Sequence, residues 1–163
     1  MALAEAASGA LVFRPARPED LVAIVWLFVG DEAGGHGDTL DDAVLPLYEA
    51  ALARILASPN DRLYVAEEEG RVVGTFQLTF IQTLVHRGRL RATVESVHVA
   101  GDRRSRGIGA AMIAFAVEEA RKAGAGVVQL TSNKRRTQAH RFYERIGFTR
   151  SHEGFKMELD DGV

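Results

Sequence analysis

The run Arg103-Arg104-Ser105-Arg106-Gly107-Ile108-Gly109-Ala110-Ala111 puts three guanidiniums and two glycines directly ahead of a stretch with helical apolar spacing. A helix start offers backbone N–H groups without intrahelical partners and a partial positive charge, so phosphate binds there when no side chain blocks the approach. Gly107 and Gly109 remove two side chains at that place, and Arg104 and Arg106 add charge-assisted donors. Taken alone, the run fits a solvated basic loop as well as an anion site. Two nucleotide-binding patterns do not fit. A Walker loop ends in Gly-Lys-Ser/Thr where this chain has Gly109-Ala110-Ala111, and a dinucleotide fingerprint wants Gly or Ala where Met112 stands.

The remaining chemistry-bearing residues narrow the field. The chain has no cysteine, which excludes disulfides, thiolate metal sites and a cysteine acyl-enzyme. His36, His86, His98, His140 and His152 have neither His-x-x-x-His nor Glu-x-x-His spacing, so no metal site is expected. A formal net charge of -2 gives no global pull toward nucleic acid or anionic membrane, and the basic clusters lack interleaved aromatics for base stacking. No apolar run approaches the ~20 residues of a membrane span. Met1 to Leu11 lacks a basic n-region and reads as a frayed terminus, giving a cytoplasmic protein.

These residues need elements to hold them. With 47% hydrophobic and 26% charged residues, the 163-residue chain reads as one domain over 1–163. Strand character covers Val12 to Ala16, Leu63 to Ala66, Val72 to Leu84 and Leu90 to Val99, and the connections among the last three are too short for anything but an antiparallel meander. Helices are expected from Pro18 to about Phe28 and from about Asp41 to Ala57, with Leu45, Leu52, Ile55 and Leu56 of the latter sharing one face. A glycine-rich acidic loop separates them. After the basic run come a helix to about Ala123, a strand Val127 to Thr131, a helix from Thr137 to Ile146 and a returning strand over Phe155 to Leu159. Alternation along the fourth strand puts Glu95, Val97 and Val99 on one face and His98 on the other.

Two segments together carry a family resemblance. Glu95-Ser96-Val97-His98-Val99 through Arg104-Ser105-Arg106-Gly107-Ile108-Gly109 resembles the acetyl-coenzyme A motif of the GNAT superfamily of N-acetyltransferases, Gln/Arg-x-x-Gly-x-Gly/Ala. Ala139-His140-Arg141-Phe142-Tyr143-Glu144-Arg145-Ile146-Gly147-Phe148 resembles that family's Ala-x-x-x-Tyr-x-x-x-Gly-Phe signature. The resemblance covers about residues 12 to 160. It implies an α/β fold with a mixed, mostly antiparallel sheet of about six or seven strands, flanked by about four helices and splayed between strands 4 and 5, where the cofactor's pantetheine arm enters. Thr131 to Arg136 with Ala139-His140-Arg141 is similar to a branch that includes aminoalkylphosphonate N-acetyltransferases, although Arg136 stands where many members have asparagine.

The resemblance implies acetyl transfer from acetyl-CoA to a primary amine by direct attack in a ternary complex. An alkylammonium has a pKa near ~10.4 and a thiol near ~8.5, so help is needed at both ends of the reaction. Tyr143, otherwise a plain core aromatic like Phe142, becomes the general acid for the departing thiolate. Glu95, otherwise an exposed strand glutamate, becomes the base, acting through a water. The main chain at Val97, His98 and Val99 meets the oxyanion. Arg104, Ser105, Arg106, Gly107, Ile108, Gly109 and Ala110 hold the pyrophosphate, and Asn133, Arg136, Ala139, Phe142 and Tyr143 complete the cofactor-binding set.

In the acidic loop, Asp31, Glu32 and Asp38 are candidates to attract a substrate ammonium, and a solvated loop is the plainer reading. The expected partner is a small-molecule amine, with no nucleic acid, no membrane and a homodimer as a possible assembly. The competing reading keeps the fold and drops the turnover, leaving an acyl-CoA-binding or regulatory module.

Overall fold

Runs of Val, Phe, Thr and Ile broken by short polar turns form the sheet, because β-branched and aromatic side chains pack best on a pleated surface. The computed structural model describes residues 10–31 and 37–159, so the terminal arm at Met1 to Leu11 lies almost wholly outside the described residues. The chain divides after Leu130 into two compact units. The first holds strands β1 (Leu11–Pro15), β2 (Asp61–Glu68), β3 (Arg71–Gln82), β4 (Leu90–Val99) and β5 (Val127–Leu130). Its helices are α1 (Leu21–Val29), α2 (Leu45–Ala57), the one-turn segment α3 (Val85–Gly88) and α4 (Ile108–Lys122). The second unit holds α5 (Thr137–Arg145).

The sheet runs β1-β2-β3-β4-β5, antiparallel up to β4 and parallel between β4 and β5, whose connection through α4 is the crossover that a parallel pair requires. Among the described residues the sheet has five strands, not six or seven, and the chain has five α-helical segments and two 3-10 turns. Phe155, Met157 and Leu159 alternate as a strand would, yet no ladder forms there among the described residues and all three are exposed. A strand exists through its partner's backbone, and periodicity alone supplies none. α2 begins at Leu45 instead of Asp41, with Pro46 in its first turn, where a missing N–H costs nothing. Leu56 is exposed, and Tyr48 takes its place beside Leu45, Leu52 and Ile55.

One sheet face packs against α4 through Phe76, Leu78, Met112 and Ala116, with Phe115 contacting the rings of Phe13, Tyr64 and Phe76. Gly74 permits this approach, since a Cβ there would lie 2.7 Å from the Met112 sulfur and 3.2 Å from the His98 carbonyl oxygen. Ile24, Leu52, Leu63 and Val65 form the core on the other side, with Phe28 and Ile55 packed against them.

Ahead of α1, Asp20 accepts two hydrogen bonds from the Arg14 guanidinium, at 2.7 and 2.9 Å, and one from the Arg17 N–H at 2.8 Å. The bond from Arg14 holds the Asp20 carboxyl below the usual carboxylate range, against the opposing effect of burial. A depressed folded-state pKa contributes stability above the unfolded pKa of about 3.9 and loses it as pH falls through the folded value. Asp20→Asn is therefore expected to destabilise the fold at pH 7 by on the order of 2 kcal/mol, as for other hydrogen bonds to charged groups. Urea unfolding should show the gap to the parent narrowing as pH drops below about 4.

Candidate active site

β5 pairs with β4 from Arg91/Val127 to Val94/Leu130 and stops, whereas β4 continues to Val99. Among the described residues, 95–99 therefore keep β3 on one side and have no strand partner on the other. Within that stretch the register slips: Gln77 faces Glu95 and Thr75 faces His98, so two steps on β3 answer three on β4. The extra residue is a bulge around Ser96, whose φ of 52° is left-handed and costs a non-glycine residue on the order of 1 kcal/mol.

The bulge overturns the alternation expected from the sequence. Thr75 and Gln77 lie on one face of β3, and cross-strand partners share a face, so Glu95 and His98 sit on the same side of the sheet. Val99, opposite Gly74, is on the other. Glu95 is exposed and makes no hydrogen bond or ion pair among the described residues. His98 tilts against Phe28, with ring centroids 4.9 Å apart, and its Nδ1 lies 3.4 Å from Asp31 Oδ2.

Past Val99 the chain enters the turn Gly101–Arg103 and then the basic loop, in which Ser105 (φ 61°) and Gly107 (φ 81°) are both left-handed. α4 has no side-chain cap, and Ala111 is the first residue whose N–H bonds back, to Gly107 at 3.0 Å. The N–H groups of Ile108, Gly109 and Ala110 thus have no intrahelical acceptor. A Cβ at Gly107 would meet nothing within 4 Å, so the approach to them is open.

The arginines of this loop are braced by carboxylates from other elements. Arg103 Nε donates to Glu68 at 2.7 Å, and Arg106 comes within 3.7 Å of the same carboxylate. Arg104 lies 3.7 Å from Asp31, and Arg71 pairs with Asp102 at 2.7 Å. The Asp31 side chain is 3% exposed and lies between the Arg104 guanidinium and the His98 ring. Asp38 accepts the Tyr48 hydroxyl at 2.7 Å, and Glu32 lies outside the described residues. Neither Glu68 nor the pairing of Asp31 with His98 was read from the sequence, where a distant carboxylate carries no spacing signal.

In the second unit, Asn133 Oδ1 accepts the Arg135 N–H at 2.9 Å and its carbonyl accepts the Arg136 N–H at 2.9 Å and the His140 Nε2–H at 2.9 Å. These bonds fix the entry to α5 and leave the Asn133 NH2 as a donor. Ala139 lies in the first turns of α5, and Tyr143 follows one helical turn later. The Tyr143 ring stands edge-on to Phe142 and Phe148, with centroids 5.1 and 5.9 Å away. Burial pushes its phenol pKa above the ordinary value, with the charge of Arg136 acting the other way. The hydroxyl is therefore protonated at neutral pH.

A family model described as "Acetyltransferase (GNAT) family" matches residues 21–148, spanning the bulged strand, the glycine loop and the Tyr143 helix. The chain belongs to the GNAT acetyltransferase family. As a GNAT acyltransferase it is 35% identical over 112 residues to an aminoalkylphosphonate N-acetyltransferase of Salmonella typhimurium LT2, covering 69% of this chain and 72% of that one. A crystal structure described as a transcriptional regulator from Bacillus halodurans C-125 is also 35% identical, with a TM-score of 0.88 over 92% of this chain and all of that one. A putative acetyltransferase from Agrobacterium tumefaciens C58 is 30% identical, with a TM-score of 0.78 over 91% of this GNAT chain and 99% of that one. Among the described residues no helix is long and apolar enough to cross a membrane, and no three His, Asp or Glu side chains cluster as metal ligands would.

Proposed function

We propose that this chain transfers an acetyl group from acetyl-CoA to the primary amine of a small acceptor, by direct attack in a ternary complex. The observation that carries the reading is the five-residue stretch of β4 left without a β5 partner, bulged at Ser96 and leading straight into the open N-terminus of α4. The loop from Arg104 to Ala110 fits a pyrophosphate, chiefly through backbone N–H groups, and the unpaired side of β4 fits an extended amide-bearing arm. Asn133, Arg136, Ala139 and Phe142 complete the cosubstrate contacts in this reading.

In the reaction, the acceptor nitrogen loses its proton to Glu95 through a water and attacks the thioester carbon. The N–H groups at Val97 to Val99 stabilise the oxyanion, the C–S bond breaks, and Tyr143 protonates the thiolate. The reading carries with it the single domain and cytoplasmic location expected from the sequence, with the homodimer of the family's habit as a possible assembly.

Acetyl-CoA at 100 times its Kd is expected to stabilise the fold by about 2.7 kcal/mol, seen as a Tm increase of several degrees. Free thiol should then appear only when an amine is added. A shift without amine-dependent thiol release would replace the reading with an acyl-CoA-binding regulatory module, the use that the description of the Bacillus halodurans relative favours. Absence of both would remove it.

A further inference from the structure

On the sheet face that carries Glu95, the register lines up a row of polar side chains. Thr93 on β4 faces Thr79 on β3 and Gln129 on β5, and Thr79 in turn faces Asp61 on β2. The row is bonded to itself. Thr79 Oγ1 donates to Asp61 Oδ1 at 2.6 Å, Gln77 Nε2 donates to the same oxygen at 3.0 Å, and the Ser58 hydroxyl donates to Asp61 Oδ2 at 2.7 Å. Gln129 Nε2 donates to Thr93 Oγ1 at 3.1 Å. With three donors on it, the Asp61 carboxylate is already satisfied. The row is a fixed polar floor, not a set of free charges.

The unspent charges lie at the two ends of one strand. Arg91, Thr93 and Glu95 alternate on this face of β4. Arg91 and Glu95 make no hydrogen bond or ion pair among the described residues, and four residues of strand hold their Cα atoms about 13 Å apart. Arg91 is the one arginine or lysine that the register puts on this face of β2 to β5. Glu95 is the first residue past the last β4–β5 pair, at the mouth of the gap, whereas Arg91 pairs with Val127 where the two strands are still bonded.

An acceptor with its amine at Glu95 therefore runs back along β4, over Thr93 and Gln129, and ends at Arg91. We infer that the acceptor is an amine bearing an oxyacid anion, a carboxylate or phosphonate, at its far end, and that Arg91 selects this anion. The inference rests on the acetyltransferase reading. An unpaired guanidinium beside a polar floor is matched by a planar or tetrahedral oxyanion, to which it gives two parallel hydrogen bonds, and it repels a second ammonium.

The test is a comparison of kcat/KM, followed by thiol release, for γ-aminobutyrate, aminoethylphosphonate, butylamine and putrescine. The parent protein is expected to prefer one or both acids to putrescine, and which acid wins tells a carboxylate from a phosphonate. Arg91→Gln should cut the acid-to-diamine ratio by about 10- to 100-fold, the range for a hydrogen bond to a charged group. Arg91→Glu should invert it. The acetyl-CoA thermal shift of each variant reports that it is folded. A ratio that neither substitution moves overturns the inference, as does a parent protein that prefers putrescine or butylamine. Thiol release with none of the four amines but with a larger or uncharged-tailed amine such as an aminoglycoside, while the acetyl-CoA shift persists, overturns the inference alone. Loss of that shift in the parent protein overturns the acetyltransferase reading beneath it.

Discussion

Replacing Tyr143 with Phe is expected to lower kcat by about 10²- to 10⁴-fold, the range for losing a positioned general acid, while acetyl-CoA still raises the melting temperature. The substitution removes one hydroxyl and keeps the ring, so the edge-on contacts with Phe142 and Phe148 survive. That hydroxyl makes no hydrogen bond among the described residues, and its removal leaves no partner stranded. A large kinetic loss with a small stability change therefore isolates the proton. Raised by burial, the phenol pKa lies above that of a thiol, so the proton passes as the C–S bond breaks and the tyrosinate regains one from water to complete the step. An unchanged kcat, read by thiol release at saturating amine, would reduce Tyr143 to a packing residue.

Truncating Phe76 to Ala is expected to have the largest effect on stability, about 3–5 kcal/mol for a phenylalanine removed from a closed core. For a chain of this size that is a fall in Tm on the order of 10 °C. Phe76 is fully buried, stacks on Tyr64 at 5.3 Å and meets Phe115 at 6.3 Å. It is also the β3 residue between Thr75 and Gln77, opposite the bulge. Its loss removes support from the stretch of β4 proposed to hold the reacting groups. Phe76→Leu, which keeps most of the volume, should recover more than half of the loss in a thermal melt. Equal melting temperatures for the parent and the Ala variant would mean that the aromatic cluster under α4 is not what holds this part of the sheet.

Periodicity made most of the framework legible. The Val, Phe, Thr and Ile content of Val72 to Leu84, the Gly107/Gly109 pair before Ile108 and the 3.6-residue spacing through Met112 each reflect a local rule, and each of these elements lies within a few residues of its expected place. What escaped depends on partners distant in sequence. The bulge at Ser96 has no local signature, because serine is an ordinary strand residue and only the register against β3 reveals the extra step. Without it, His98 and Glu95 fall on opposite faces. Phe155 to Leu159 failed in the opposite direction, a pattern without a ladder. For the candidate site, the loop and the tyrosine helix could be read from type and spacing. Asp31, Glu68 and the polar row could not, since their meaning comes from residues brought close only by the fold.

The carboxylates that brace the basic loop have a consequence for how an anion is captured. Four guanidiniums, Arg71, Arg103, Arg104 and Arg106, stand against three carboxylates, Asp31, Glu68 and Asp102. Seen from beyond a Debye length of about 10 Å, most of that positive charge is cancelled. Few counterions gather there to be released, and long-range steering adds little to the encounter rate. In the proposed reading, recognition of the pyrophosphate at this loop is thereby deferred to contact, where the backbone dipoles of the α4 N-terminus act at hydrogen-bonding range.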